Sequence, residues 1–140
     1  MDKQILIEAL NGDLANEYAA VIQYNTYASK VKGPHREELR RFFQAEIPEE
    51  QLHAQTLADK IVTLGGDPTT TPSEVPAANT PEEMLRAVLE AEKKAVIGYT
   101  ERINQADAAG DIALRVQLEN FVADETKHRD EVELMLAGWK

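Results

Sequence analysis

Sliding the chain against itself by 75 residues lays "AVIGY" (95 to 99) over "AVIQY" (20 to 24). The same shift lays Glu92 over Glu17, Glu125 over Glu50 and His128 over His53. One register that aligns both apolar residues and acids is a severe constraint, because it calls for two copies of one structural unit packed around a shared core. In each half a lone glutamate stands 33 residues ahead of a Glu-x-x-His, carried by "EEQLH" (49 to 53) and "DETKH" (124 to 128).

The repeated unit reads as a helical hairpin. Apolar and small residues recur at spacings of three and four from residue 3 to 31, through Leu6, Leu10, Leu14, Val21, Tyr24, Ala28 and Val31, which is the period of one helical face. "GP" at 33 and 34 ends that helix, with Pro34 suited to the first turn of a second helix running to residue 64 on Leu39, Phe43, Leu57 and Leu64. "GG" at 65 and 66 stops it. Pro48 lies inside and cannot bond the Gln44 carbonyl, so the helix either kinks there or breaks. Residues 65 to 80 hold three of the six prolines and no helical period, and form an ordered crossover or a flexible linker. Thr80, Pro81 and Glu83 then spell a helix start: an N-cap, a first-turn proline and a capping-box glutamate. The third helix extends over 81 to 109 on Leu85, Leu89, Val96, Tyr99 and Ile103; "GD" makes a tight turn, and a fourth covers 111 to 137 on Leu114, Leu118, Phe121, Val132 and Met135. Short links within each hairpin and a long one between them predict an all-α fold: one domain over 1 to 140, a four-helix bundle with a single long crossover.

The repeated acids sit on the seams of these helices, where a bundle ordinarily places leucine. The first seam reads Leu10, Leu14, Glu17, Val21, Tyr24 and the third Leu85, Leu89, Glu92, Val96, Tyr99; the second carries Phe43, Glu46, Glu50, His53, Leu57 and the fourth Phe121, Glu125, His128, Val132. Four carboxylates and two imidazoles therefore face one another at mid-height. Burial and like-charge repulsion both oppose such a cluster unless cations join it. Two divalent ions balance four Glu⁻, and oxygen with imidazole donors suits iron, with manganese the alternative. Residues three apart share a helix face, so each Glu-x-x-His offers two donors in one direction. The competing reading, a helical interaction module whose acids are merely solvated, leaves the common shift and the inward phase unexplained.

On these residues the chain resembles the ferritin-like superfamily, and within it the bacterioferritins, over nearly its whole length. The resemblance implies that Glu17 and Glu92 are terminal ligands, Glu50 and Glu125 bridging ligands, and His53 and His128 the nitrogen ligands of two irons. It also implies that Fe²⁺ is oxidised by oxygen or peroxide and that the chain is a homo-oligomer, at least a dimer. Three positions depart from the pattern. Gln51 stands where bacterioferritins carry the haem-ligating methionine, so haem is not expected. The chain stops after the fourth helix, without the fifth helix of the cage-forming relatives, which leaves cage and dimer both open. Ala95 stands where the rubrerythrins, peroxide-reducing relatives, carry an extra glutamate, and with no cysteine in the chain their rubredoxin domain is missing; a rubrerythrin-like peroxidase or another di-iron or di-manganese oxidase is the alternative reading.

Other residues keep two readings each. Glu46, whose repeat partner is Phe121, is a third-metal or access ligand or else a carboxylate reaching water at the bundle end. Glu49 and Asp124 accept the outer N–H of a metal-bound imidazole or are exposed acids. Tyr24 and Tyr99 serve the site or fill the core. His35 is read as surface, and Trp139 as packing on the bundle end or at a subunit contact. A net charge of −10 repels nucleic-acid phosphates and anionic membranes. With no signal peptide and no apolar run of membrane-spanning length, a soluble, cytoplasmic protein is expected.

Overall fold

The computed structural model describes residues 1 to 139. Four helices follow one another: α1 (Lys3–Lys30), α2 (Arg36–Thr63), α3 (Pro81–Ala108) and α4 (Ile112–Leu136). They bury their seams against each other as a four-helix bundle. Two hairpins, α1 with α2 and α3 with α4, pack face to face, with α1 lying along α3.

Each helix boundary has a local cause. Asp2 caps α1 by accepting from the Gln4 amide at 2.8 Å. Thr80 caps α3 by accepting from the Glu83 amide, and the Glu83 carboxylate accepts in turn from the Asn79 amide at 3.0 Å, one residue earlier than a capping box requires. Asp111 caps α4 rather than starting it. At the first hairpin, Gly33 at φ +105° and Pro34 form the turn itself, so α2 begins at Arg36, two residues later than the sequence suggests. Two residues after α2, Gly65 takes φ +88°, and a side chain on Gly66 would collide with Ile7. α2 runs unbroken through Pro48, so the complete break is not realised; exposure of this proline lets the freed Gln44 carbonyl side meet water.

The 65 to 80 segment is an ordered crossover. Asn11 bonds the Asp67 carbonyl and the Thr69 amide, the Ser73 amide bonds the Ala15 carbonyl at 3.0 Å, Tyr27 bonds the Pro76 carbonyl, and Lys30 bonds Asn79. These contacts climb α1 from its first third to its end. The crossover thereby delivers α3 to the end of the bundle where α2 starts, and α2 and α3 run parallel.

The apolar core comes in two clusters. One gathers Leu6, Leu10, Leu14, Leu57, Ile61, Leu114 and Leu118; the other gathers Tyr24, Tyr27, Phe43, Met84, Leu85 and Val132. Between them lies a layer of buried polar side chains. Val21, Leu89 and Val96 of the expected seams are only half-buried. Trp139 packs on the second cluster and against His35, which is exposed.

Candidate metal centre

All six repeated residues converge in the polar layer. Glu17, Glu50, His53, Glu92, Glu125 and His128 are each no more than 5% exposed. Their donor atoms form two overlapping sets, Glu17, Glu50, His53, Glu125 and Glu50, Glu92, Glu125, His128, within which the atoms lie inside 4.8 Å of one another. Glu50 and Glu125 belong to both. Every one of the six leaves one buried atom without a hydrogen bond: Glu17 Oε2, Glu50 Oε1, His53 Nδ1, Glu92 Oε2, Glu125 Oε1 and His128 Nδ1. Buried polar atoms are normally satisfied, and six orphans aimed at one another describe a cradle for cations.

The surrounding side chains hold this cradle from the opposite hairpin. His53 on α2 meets Asp124 on α4 at 3.0 Å through Nε2, while His128 on α4 meets Glu49 on α2 at 2.5 Å. Tyr24 on α1 donates its hydroxyl to Glu92 on α3, and Tyr99 on α3 donates to Glu17 on α1. Outer acids thus fix both imidazoles with Nδ1 facing inward, the arrangement that metal-bound histidines require. The tyrosines are at once core and clamp, which joins the two readings the sequence left open. Glu50 and Glu125, the two carboxylates common to both sets, have no such outer partner and meet other members of the cluster, Glu125 Oε1 lying 3.2 Å from His53 Nδ1.

Electrostatics follow from this crowding. Burial first, then Glu17, pushes the Glu50 carboxyl well above the usual range; burial and Glu92 do the same to Glu125. Glu92 goes the other way: burial opposes its charge, but Glu125, His128 and the Tyr24 hydroxyl outweigh it. For His53, burial alone would lower the imidazole, yet the Glu125 and Glu17 carboxylates, with Asp124, raise it to about 10. His128 is likewise lowered by burial and raised by Glu46 and Glu92, to about 11. Without cations the cluster holds protons in their place.

Two features escaped the sequence. Asp13 and Arg102 form a buried ion pair at 2.7 Å between α1 and α3, one turn from Glu17. A cavity of about 200 Å³ leads from the crossover residues Ser73 and Glu74, between α1 and α3, to Glu17, Glu50, Glu92 and Glu125. Its walls are the small side of the helices, Ala20, Ala91, Ala95 and Gly98. Asp13 interrupts an apolar face with no repeat partner, which was the only signal available for either.

The ferritin-like domain family matches residues 7 to 140. The chain belongs to the ferritin-like family. A solved ferritin-like, diiron-carboxylate protein of Bacillus anthracis is similar to this ferritin-like chain at 44% identity, with a TM-score of 0.95 over 97% of this chain and 99% of that one. Bacterioferritin of Streptomyces coelicolor is 31% identical over 94% of this chain and 79% of its own length. Bacterioferritin of Mycobacterium tuberculosis superposes at a TM-score of 0.85 with 27% identity, over 94% of this chain and 84% of that one. The long connection between α2 and α3 is the crossover of this fold, and the buried Glu and His cluster has the donor set of a di-metal carboxylate site.

Proposed function

We propose that this ferritin-like chain binds two ferrous ions and oxidises them with oxygen or hydrogen peroxide, as a ferroxidase in iron handling or detoxification. The observation that carries the proposal is the set of six unpartnered buried atoms grouped around two shared carboxylates. Glu17, Glu50, His53 and Glu125 are the ligands of one ion, and Glu50, Glu92, Glu125 and His128 those of the other. The ferrous pair supplies two electrons, enough to take oxygen to hydrogen peroxide or hydrogen peroxide to two waters.

The protein contributes placement. Glu17 and Glu92 are fixed by Tyr99 and Tyr24, and the imidazoles by Asp124 and Glu49, so four of the six ligands are held rigid. Glu50 and Glu125 carry no such restraint and are free to change binding mode as the charge of the ions changes. The cavity between α1 and α3 admits a small oxidant to the carboxylates while the apolar clusters on either side keep bulk water out. Ala95, in that cavity wall, and Gln51, exposed on α2, are the grounds for a site without the extra glutamate of rubrerythrins and without haem.

Anaerobic Fe²⁺ titration is expected to saturate at two ions per chain, with oxygen or peroxide then consumed in proportion; binding near zero refutes the proposal. Among the described residues no helix is long and apolar enough to cross a membrane. We place the chain as a cytoplasmic homo-oligomer. A bacterioferritin-related thioferritin of Bacteroides fragilis, 26% identical, is a dodecamer. The same site could instead reduce peroxide or oxidise a small substrate without storing mineral, and the cavity is compatible with that use. Native mass measurement separates the two, because a dimer cannot enclose a mineral core.

A further inference from the structure

The best-kept stretch of the repeat, "AVIQY" against "AVIGY", differs in one letter, Gln23 against Gly98, and both residues line the cavity between α1 and α3. Gly98 lies inside α3, where glycine is less favourable than alanine. A Cβ there would meet only the Asp13 carboxylate, at an ordinary 3.7 Å, so the missing methyl serves neither a turn nor a tight contact. What it does is leave space in the cavity.

Gln23 is 3% exposed. The Tyr27 hydroxyl gives its one hydrogen to the Pro76 carbonyl at 2.7 Å, so towards Gln23 it can only accept, from Nε2 at 3.4 Å. The Gln23 carbonyl oxygen is left over. It has no hydrogen bond among the described residues and is not sealed in, which places it on the cavity that Gln23 lines.

We infer that this cavity is a binding site for a single-ring phenol, and that a para-benzenediol bound there is the electron donor returning the oxidised ion pair to the ferrous state. The donor role rests on the di-metal reading above; the binding site does not.

Size is the first reason. A cavity of about 150 Å³ takes one benzene, so the volume here, about 200 Å³, takes a ring with roughly two further heavy atoms, whereas oxygen or peroxide needs little more than one water's share of about 30 Å³. Ala19, Ala20, Ala91 and Ala95 give the ring apolar walls. Charge sets the class. The carboxylates at the inner end oppose an anion, and once two divalent ions balance them nothing there holds a cation. An uncharged molecule that donates a hydrogen bond suits both conditions, and Gln23 is the acceptor. Six residues of α1, roughly 9 Å, separate Gln23 from the level of Glu17, so a para-diol bonded to Gln23 brings its second hydroxyl to the carboxylate layer. The diol gives up two electrons and two protons and becomes a benzoquinone. With hydrogen peroxide as oxidant, one diol and one peroxide become one quinone and two waters.

The test titrates phenol and benzene separately into the full-length metal-free protein and reads binding by ligand-observed NMR, with a cooperative melt as the check that each variant folds. Phenol should bind in preference to benzene. Gln23→Leu, close in size but without the acceptor, should weaken phenol roughly tenfold and leave benzene alone. Ala91→Leu, which fills the space, should abolish both. With iron loaded, para-benzenediol and peroxide should yield one quinone per peroxide, saturating in diol, and Gln23→Leu should act on KM rather than kcat. Phenol binding that is absent, equal to that of benzene or indifferent to Gln23→Leu overturns the inference and leaves the di-metal reading standing. Bound diol that yields no quinone overturns the donor role. Fewer than two Fe²⁺ per chain, with phenol binding as expected, overturns the di-metal reading and the donor role while the binding site stands.

Discussion

Replacing Glu50 by glutamine should stabilise the metal-free protein and abolish its response to metal. Glu50 is 2% exposed, shares two donor sets with Glu17, Glu92 and Glu125, and leaves Oε1 buried without a hydrogen bond. At the 4.8 Å that bounds each set, two full charges repel by about 3.5 kcal/mol in a medium of effective dielectric near 20. The carboxyl escapes part of that cost by keeping its proton, since burial and Glu17 hold it well above the usual range. Its folded value being raised, the proton stabilises the metal-free fold in full below the unfolded value of 4.5, and the contribution drains as pH rises toward the folded value. The loss runs at about 1.4 kcal/mol per pH unit. Glutamine needs no proton, so its advantage should be slight near pH 5 and grow with pH, by at most about 3.5 kcal/mol at pH 7.5 or roughly 10 °C in Tm. The wild type should recover that stability when metal is added, by about 2.7 kcal/mol for each site at a hundredfold excess over Kd. Calorimetry or circular dichroism melts at pH 5 to 8, with chelator and with Mn²⁺, read both effects. A chelated variant less stable than the wild type at pH 7.5, with its metal response intact, would refute the reasoning and make Glu50 an ordinary structural residue.

Asp124→Asn and Glu49→Gln each weaken the acid that orients one imidazole, and calorimetric titration with Mn²⁺ should show one ion per chain bound roughly 10- to 100-fold more weakly. Tyr99→Phe leaves the Glu17 oxygen without its donor, which should destabilise the fold by about 1–3 kcal/mol in urea unfolding while two ions still bind. Arg102→Met strands the buried Asp13 carboxylate, whose own value is already raised by burial, and should cost about 3–5 kcal/mol; the pair Asp13→Leu with Arg102→Met should recover much of it.

The sequence was informative wherever one residue type at one spacing has few uses. Thr80, Pro81 and Glu83 mark the start of α3 because a capped N-terminus needs those side chains there, and the repeat located all six cluster residues because apolar seams make buried acids conspicuous. What spacing cannot convey is which copy serves which. Glu49 lies four residues from His53 but bonds His128, and Tyr24 lies on the helix of Glu17 but bonds Glu92; both facts depend on how the hairpins face each other. The Asp13 to Arg102 pair spans 89 residues with no partner under the shift, so no local rule could join it. Pro34 was misplaced into α2 because a proline suits both a first helical turn and the turn before it, and Gly33 at positive φ decides for the latter.

The exchange of partners between the hairpins also explains how a costly polar layer can sit in the middle of the core. Neither hairpin carries a finished set of donors: the first supplies Glu17, Glu50 and His53 but needs Glu125, Tyr99 and Asp124 from the other, and the second needs Glu50, Tyr24 and Glu49 in return. Among the helices α1 packs on α3, while α2 and α4 pack far less closely, so across that wider gap the imidazoles and their outer acids are the main contact between hairpins. On the di-metal reading, ions held by Glu50 and Glu125, one from each hairpin, would close the gap from inside. The layer, costly by itself, would then become a pair of cross-links as its charge is balanced, built on the two carboxylates that no outer side chain holds still.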